Sequence, residues 1–260
     1  MARTFRALGL FVSCLLLAQA PPAFTVASIK PNRSSDDRFM LRPMPGGGLT
    51  ATGVTLKMLI MNAYGIAVYQ ISGAPNWVGT ERWDIDAKTE GVQGLLPPAQ
   101  FNVLLRHLIE ERFQLKSHRK SKKLPAYALV VMKTGSKLKP HAADSTVRPT
   151  GRFGFGSASF TNMPVADLAK QLSFDLGRPV LDRTGLAGSF DFSLEWTPAS
   201  NEGGAEAFGL PPRAEPPTPV DSNRPSLFTA LEEQLGLKLQ STKSPVDILV
   251  IDRVERASQN

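Results

Sequence analysis

The chain carries one cysteine, Cys14. That excludes an intramolecular disulfide and any zinc site built on several thiolates. Histidine is almost as scarce: His107, His118 and His141 are the full set, and none has a second histidine or cysteine at ligand spacing. Packed or exposed imidazoles are therefore the expectation, with no metal and no cofactor. G-x-S-x-G, H-E-x-x-H, Walker A and G-x-G-x-x-G are all missing, and Gly151, Gly154 and Gly156 do not fit the last of these. These absences weigh against an enzyme without excluding one. The one long apolar run, Ala7 to Ala18, is shorter than the ~20 residues that a spanning helix needs.

What is present belongs to a globular protein. The 260 residues are 42% hydrophobic and 20% charged, enough for one large domain or two small ones. Thirty Lys+Arg against 23 Asp+Glu give +7, which favours anionic partners. Arg3 and Arg6 precede the apolar run, and Ala18-Gln19-Ala20 follows it, the order of a secretory signal over residues 1–20. Export to the periplasm or cell exterior is expected. Pro21 would shift the cut or leave the segment as an anchor, and Phe11-Val12-Ser13-Cys14 loosely matches a lipoprotein box. Contact with a membrane is thus expected only through an uncleaved leader or a lipid anchor. Loss of the leader lowers Lys+Arg from 30 to 28 and the net charge from +7 to +5, and removes Cys14, which suits an oxidising compartment.

The chain also resembles itself. Gly53 to Leu59 matches Asn162 to Leu168 at an offset of 109, and without a gap Gly79 to Asp86 meets Gly188 to Glu195. Glu110 to Lys116 pairs with Glu232 to Lys238 at 122, and Pro125 to Val131 with Pro245 to Ile251 at 120. Leu56, Leu59, Ile60 and Ala63 recur at helical spacing, as do Val165, Leu168, Ala169 and Leu172, with Thr55 and Asn162 as candidate caps. Trp83, Ile85 and Ala87, and likewise Phe192, Leu194 and Trp196, alternate with polar residues as in half-buried strands. Second helices around Phe101 to Arg112 and Leu227 to Gln234 lead into hairpins whose strands are Leu115 to Arg119 with Ala126 to Met132, and Leu237 to Thr242 with Val246 to Asp252.

The expected class is α+β, with two duplicated halves, each having two helices packed on mostly antiparallel strands. The halves fall at 24–141 and 142–260, and Pro198 to Pro225, with seven prolines, reads as a long loop in the second. Arg33 to Pro45 and Ala142 to Gly156 also read as loops.

Phe24 to Asn32, Pro45-Gly46-Gly47 through Leu56, Arg112 to Leu115, Asp182 to Leu186 through Phe192, and Gln234 to Leu237 together resemble an exported soil-bacterial family, expanded in Acidobacteria and catalogued as a domain of unknown function. The resemblance spans nearly the whole chain after the leader. It implies no activity and no catalytic residue, although family members are sometimes fused to, or encoded near, sensor metallopeptidases of β-lactam response. Each helix-Gly-strand unit is also similar to the small periplasmic interaction domains of secretins and TonB-dependent receptors.

From Arg106 to Lys139 ten Lys/Arg face only Glu110 and Glu111, a local balance of +8. Arg112, Lys116, Arg119, Lys120, Lys122 and Lys123 form its centre, a basic hairpin fit for an anionic envelope polymer, lipid headgroups or an acidic protein. A solvated edge guarded by lysines explains the same run and is the favoured reading. Nucleic acid is not an expected partner, since no aromatic interrupts the run. Asp84, Asp86, Asp182 and Asp191 could make a carboxylate or calcium site, but the alignment of Asp84 with Ser193 and Asp86 with Glu195 favours solvated strands, and Asp182-Arg183-Thr184-Gly185 reads as a turn. Trp83 and Trp196 are core candidates, whereas Trp77, after Pro75-Asn76, is the candidate for a ligand groove. The leading expectation is a non-enzymatic extracytoplasmic binding or protein-interaction module. The rivals are a hydrolase with carboxylates between the halves and a regulatory ectodomain acting with a membrane metallopeptidase.

Overall fold

The computed structural model describes residues 23–34, 38–142, 147–154, 156–198 and 224–257. The expected leader, Cys14 and nearly all of the Pro-rich loop 198–225 lie outside the described residues. In chain order the elements are β1 (Val26–Pro31), β2 (Met40–Met44), β3 (Gly48–Thr55), α1 (Leu56–Tyr64), β4 (Ile71–Ser72), α2 (Trp77–Thr80), β5 (Arg82–Lys88), α3 (Pro98–Arg112) and β6 (Lys116–Val131). Then come β7 (Lys139–Pro140), β8 (Thr150–Gly154), β9 (Ser157–Pro164), α4 (Val165–Asp175), β10 (Val180–Asp182), β11 (Ser189–Glu195), α5 (Leu227–Ala230), extended by a π-helical turn Leu231–Leu235, and β12 (Leu237–Arg253).

The fold is mixed α/β. Among the described residues twelve strands form three sheets, ordered β1-β5-β3-β2, β10-β6-β12-β4 and β7-β11-β9-β8. The first and third are antiparallel throughout, while the middle one adds β4 and β10 in parallel to the antiparallel pair β6/β12.

The outer sheets share one pairing plan with a slip in it. Leu49 faces Ala87 in the first sheet and Ala158 faces Leu194 in the third, so β3 maps to β9 by 109 residues but β5 to β11 by 107. Lys30-Pro31 maps to Lys139-Pro140 by 109, opposite Asp84-Trp83 and Asp191-Phe190 respectively. The expected ungapped alignment is therefore corrected: Asp84 occupies the place of Asp191 rather than Ser193, and Asp86 that of Ser193 rather than Glu195. Trp83 corresponds to Phe190, and Trp196 follows β11. The cause is the period of a strand, since a slip of two residues leaves every apolar side chain on its original face.

The expected hairpins are likewise corrected. β6 and β12 each run straight through the Lys/Ser/Pro stretch and pair with each other, from Lys116–Arg253 to Val131–Leu237. The pairing is symmetric about Leu124–Ser244: Lys123 faces Pro245 and Pro125 faces Lys243. The prolines survive in mid-strand because of parity. Tyr127 N–H donates to Pro179 O at 2.8 Å, on the side away from β12, so Pro125, two residues earlier, also turns its nitrogen away and loses no cross-strand bond. Arg33 to Pro45 and Ala142 to Gly156, expected as loops, contain the edge strands β2 and β8.

Two buried clusters result. The first joins Ile29, Leu49, Ile85, Leu59 and Ile60 of α1, and Leu105 and Ile109 of α3 to Leu249 and Ile251 of β12 and to Ala257. The second joins Phe160, Leu168, Leu172, Leu194, Leu227 and Leu231 to Leu129 of β6. The strand β12 thus contributes to both clusters, Leu249 and Ile251 to the first and Leu237 and Leu239 to the second, across the boundary expected at 141/142, while β6 contributes Leu129 to the second. Thr55 caps α1, its Oγ1 accepting from Met58 N–H at 3.2 Å. Asn162 does not cap α4, which starts after Pro164 with no side-chain cap; Asn162 sits at φ 55 instead.

Candidate functional site

The basic stretch lies on an open edge. From Lys116 to Leu124, β6 has β12 on one side, and on the other β10 joins only at Tyr127 to Leu129. Residues 118–123 are all exposed. Strand alternation places Lys120 and Lys122 on one face and Arg119 and Lys123 on the other. Their partners across the ladder are apolar, Ile248 and Val246, Leu249 and Pro245; Asp247 stands opposite Ser121, and Asp252 is held by His118 Nδ1 at 2.9 Å. Among the described residues no carboxylate comes within 4 Å of Lys116, Arg119, Lys120, Lys122 or Lys123. Positive charge is therefore uncompensated at short range, and its field extends into solvent. Arg112 is elsewhere: half-buried at the end of α3, it donates from Nη1 to Ala27 O at 3.0 Å and fastens β1.

The four aspartates do not converge. Asp84 accepts from Gly53 N–H at 2.9 Å and Asn32 Nδ2 at 2.7 Å, and Asp191 accepts from Asn162 N–H at 2.8 Å with His141 Nδ1 also 2.8 Å away. Gly53 and Asn162 have φ 62 and 55 and stand where the registers of the two sheets break, so each carboxylate clasps a bulge. The Asn162 N–H and then His141 hold the Asp191 carboxyl below the usual aspartate range. Asp86 is exposed on β5, and Asp182 accepts from Thr184 N–H and Oγ1 at 2.9 and 2.7 Å, closing the expected turn. Among the described residues no three His, Cys, Asp or Glu side chains group to hold a metal ion. His107 is half-buried on α3.

Trp77 is half-buried at the start of α2, and its ring already lies under the Arg256 guanidinium, 5.0 Å from the centroid. Arg256 Nε reaches Glu81 Oε2 at 2.8 Å and Nη2 reaches Oε1 at 2.6 Å, a bidentate pair that pulls the Glu81 carboxyl below its ordinary range. Beside them is a cavity of about 340 Å³ walled by Pro31, Asn32, Glu81, Arg82, Trp83 and Arg256. Sequence reasoning missed this cluster, because Glu81 and Arg256 are 175 residues apart. It missed the bulge clasps too, although Lys30-Pro31-Asn32 and Lys139-Pro140-His141, one offset of 109 apart, carried that signal.

A family model described as Protein of unknown function (DUF3738) matches residues 57–254. The chain belongs to this family. The matched span runs from α1 to the end of β12, so the open edge of β6 lies within DUF3738, whereas Asn32, Gly53 and Arg256 lie outside the match. No curated protein and no solved structure matches the chain. Among the described residues no helix is long and apolar enough to cross a membrane.

Proposed function

We propose that this DUF3738 protein is an exported, non-enzymatic binding module of the cell envelope. It is built from two related α+β halves joined through β6 and β12, and it meets an anionic envelope partner at the open edge of β6. The observation that carries the reading is the run Lys116, Arg119, Lys120, Lys122 and Lys123, exposed on both faces of one edge and, among the described residues, with no carboxylate within 4 Å. The shared order of the two outer sheets supports the duplication, and the arginine-led apolar segment before Pro21 supports export. The rival carboxylate hydrolase draws less support, since Asp84, Asp182 and Asp191 are each occupied by local backbone N–H groups.

The test is titration of the protein with polygalacturonate and polyphosphate at low and high ionic strength, with recovery of partners from envelope extracts alongside. Binding is expected to weaken as salt rises and to vanish in the double variant Lys120→Glu/Lys122→Glu. Failure to bind any anion, with no partner recovered, overturns the reading. A hydrolytic activity lost in Asp84→Ala or Asp191→Ala variants that remain folded would establish the rival.

A further inference from the structure

The open edge of β6 has a control within the same molecule. Adding 120 to each residue number carries β6 onto β12, and with it Arg119-Lys120-Ser121-Lys122-Lys123 onto Leu239-Gln240-Ser241-Thr242-Lys243. Among the described residues the outer side of β12 is also open there, because β4 meets it only at Leu249 and Val250, and Gln240 to Lys243 are exposed. Lysines on an edge commonly guard it against strand addition. If this architecture needed such a guard, both edges would carry it. The second edge instead presents uncharged polar side chains at 240–242, so the cations of the first answer to something specific to that edge.

The backbone shows what the edge offers. Tyr127 N–H donates to Pro179 O and Arg183 N–H donates to Leu129 O, so odd-numbered residues of β6 turn their polar groups away from β12. The register is unbroken from Ser117 to Val131, which points the N–H groups of Arg119, Ser121 and Lys123 out of the open side. The strand β10 already occupies this edge further along, in parallel pairing at residues 127–129.

We infer that the edge from Ser117 to Lys123 takes an extended acidic segment of a partner protein, which adds to the middle sheet as a further strand. This rests on the anionic-partner reading above and names the partner's form. An added strand alternates its side chains between the two faces, as β6 does. Its acidic residues meet Lys120 and Lys122 on one face and Arg119 and Lys123 on the other, while its carbonyls accept from the three outward N–H groups. A flat lipid surface reaches one face only, and among the described residues the exposed large apolar side chains Val26, Phe39, Met40, Met44, Leu95 and Val147 all lie off β6. Pro125, without an N–H, and β10 just beyond it close the site at one end.

Fluorescence anisotropy with a short oligoglutamate peptide tests this on the folded protein, against the same peptide N-methylated through its central residues, polygalacturonate, and anionic vesicles. Oligoglutamate is expected to bind, and N-methylation, which removes strand pairing but no charge, is expected to weaken it by about tenfold or more. Ser121→Pro deletes one outward N–H at the parity where Pro125 is tolerated, and should weaken the peptide by about fivefold with melting unchanged. Equal binding of the methylated and unmethylated peptides overturns the inference, as does vesicle binding without peptide binding. If Ser121→Pro disturbs the fold, the methylated peptide on the unaltered protein decides alone. Polygalacturonate bound while N-methylation costs nothing leaves the anionic-partner reading standing and removes the added strand; no anion bound removes both.

Discussion

Strands β6 and β12 pair along their whole length, and each buries a leucine at the same register position, Leu129 in the second cluster and Leu249 in the first. Each also carries a proline at the same place, Pro125 and Pro245, beside the centre of the pairing. They part company at Arg119 to Lys123, where β12 has Leu239 to Lys243 and lacks three of the four cations. What the strands share is what the backbone plan demands: apolar residues that reach a core, and prolines at a tolerated parity. What they do not share is free of that demand, which makes the comparison a filter for function.

The largest expected effect tests the shared part. Leu129→Ala and Leu249→Ala should each cost about 2–5 kcal/mol, because both leucines are almost fully buried. Since β12 reaches both clusters and pairs with β6 along its length, urea unfolding of either variant should remain a single transition. Two transitions, each shifted by only one of the variants, would break the equivalence and divide the molecule into separate units.

The next pair sits just before the strands. Gln114 and Gly236 both end a helix in the left-handed region, at φ 50 and 66. Only Gly236 is confined, since an added Cβ would run into Gly135 O. Gly236→Ala should therefore lower stability by about 2 kcal/mol or more, whereas Gln114→Gly should raise it by up to about 1 kcal/mol by relieving the side-chain penalty. Chemical denaturation measures both, and effects of the same sign would count against the shared backbone.

The bulge clasps differ in their side-chain partner, Asn32 beside Asp84 and His141 beside Asp191. The folded protein holds the Asp191 carboxyl below the usual range, so the charged clasp favours the fold above about pH 4 and loses that contribution as pH falls through the depressed value. Asp191→Asn should therefore melt lower than the unaltered protein at neutral pH, with the gap closing in acid. A gap that widens in acid would contradict this assignment.

The smallest effect on stability belongs to the part the strands do not share. Lys120→Glu/Lys122→Glu should change stability by no more than about 0.5 kcal/mol while removing anion binding. The converse transplant, Gln240→Lys/Thr242→Lys, should give the second edge an affinity for the same acidic peptide, read by a doubled binding stoichiometry.

Much of this plan was legible in the residues. The helical spacing of Leu56 to Ala63 and Val165 to Leu172 located α1 and α4, and the excess of cations marked β6. Three features escaped for separate physical reasons. A strand's period of two hid the slip that brings Asp84 into register with Asp191. The run Lys120-Ser121-Lys122-Lys123-Leu124-Pro125 has the composition of a turn, and only the direction of the Pro125 nitrogen shows why a strand passes through it. The Glu81–Arg256 pair over Trp77 depends on tertiary contact between distant parts of the chain and has no local signature.

After β12 the chain turns back: Glu255 N–H donates to Phe113 O at 2.7 Å, and Val254 and Ala257 pack into the cluster built by β1, β3, α1 and α3. Residues 254–257 therefore seal a core most of whose other parts lie more than a hundred residues earlier in the chain. Closure of that core waits on contacts of long sequence separation, the slow kind in folding. Detachment of this short segment would open the first cluster to proteases while leaving the pairing of β6 with β12 in place.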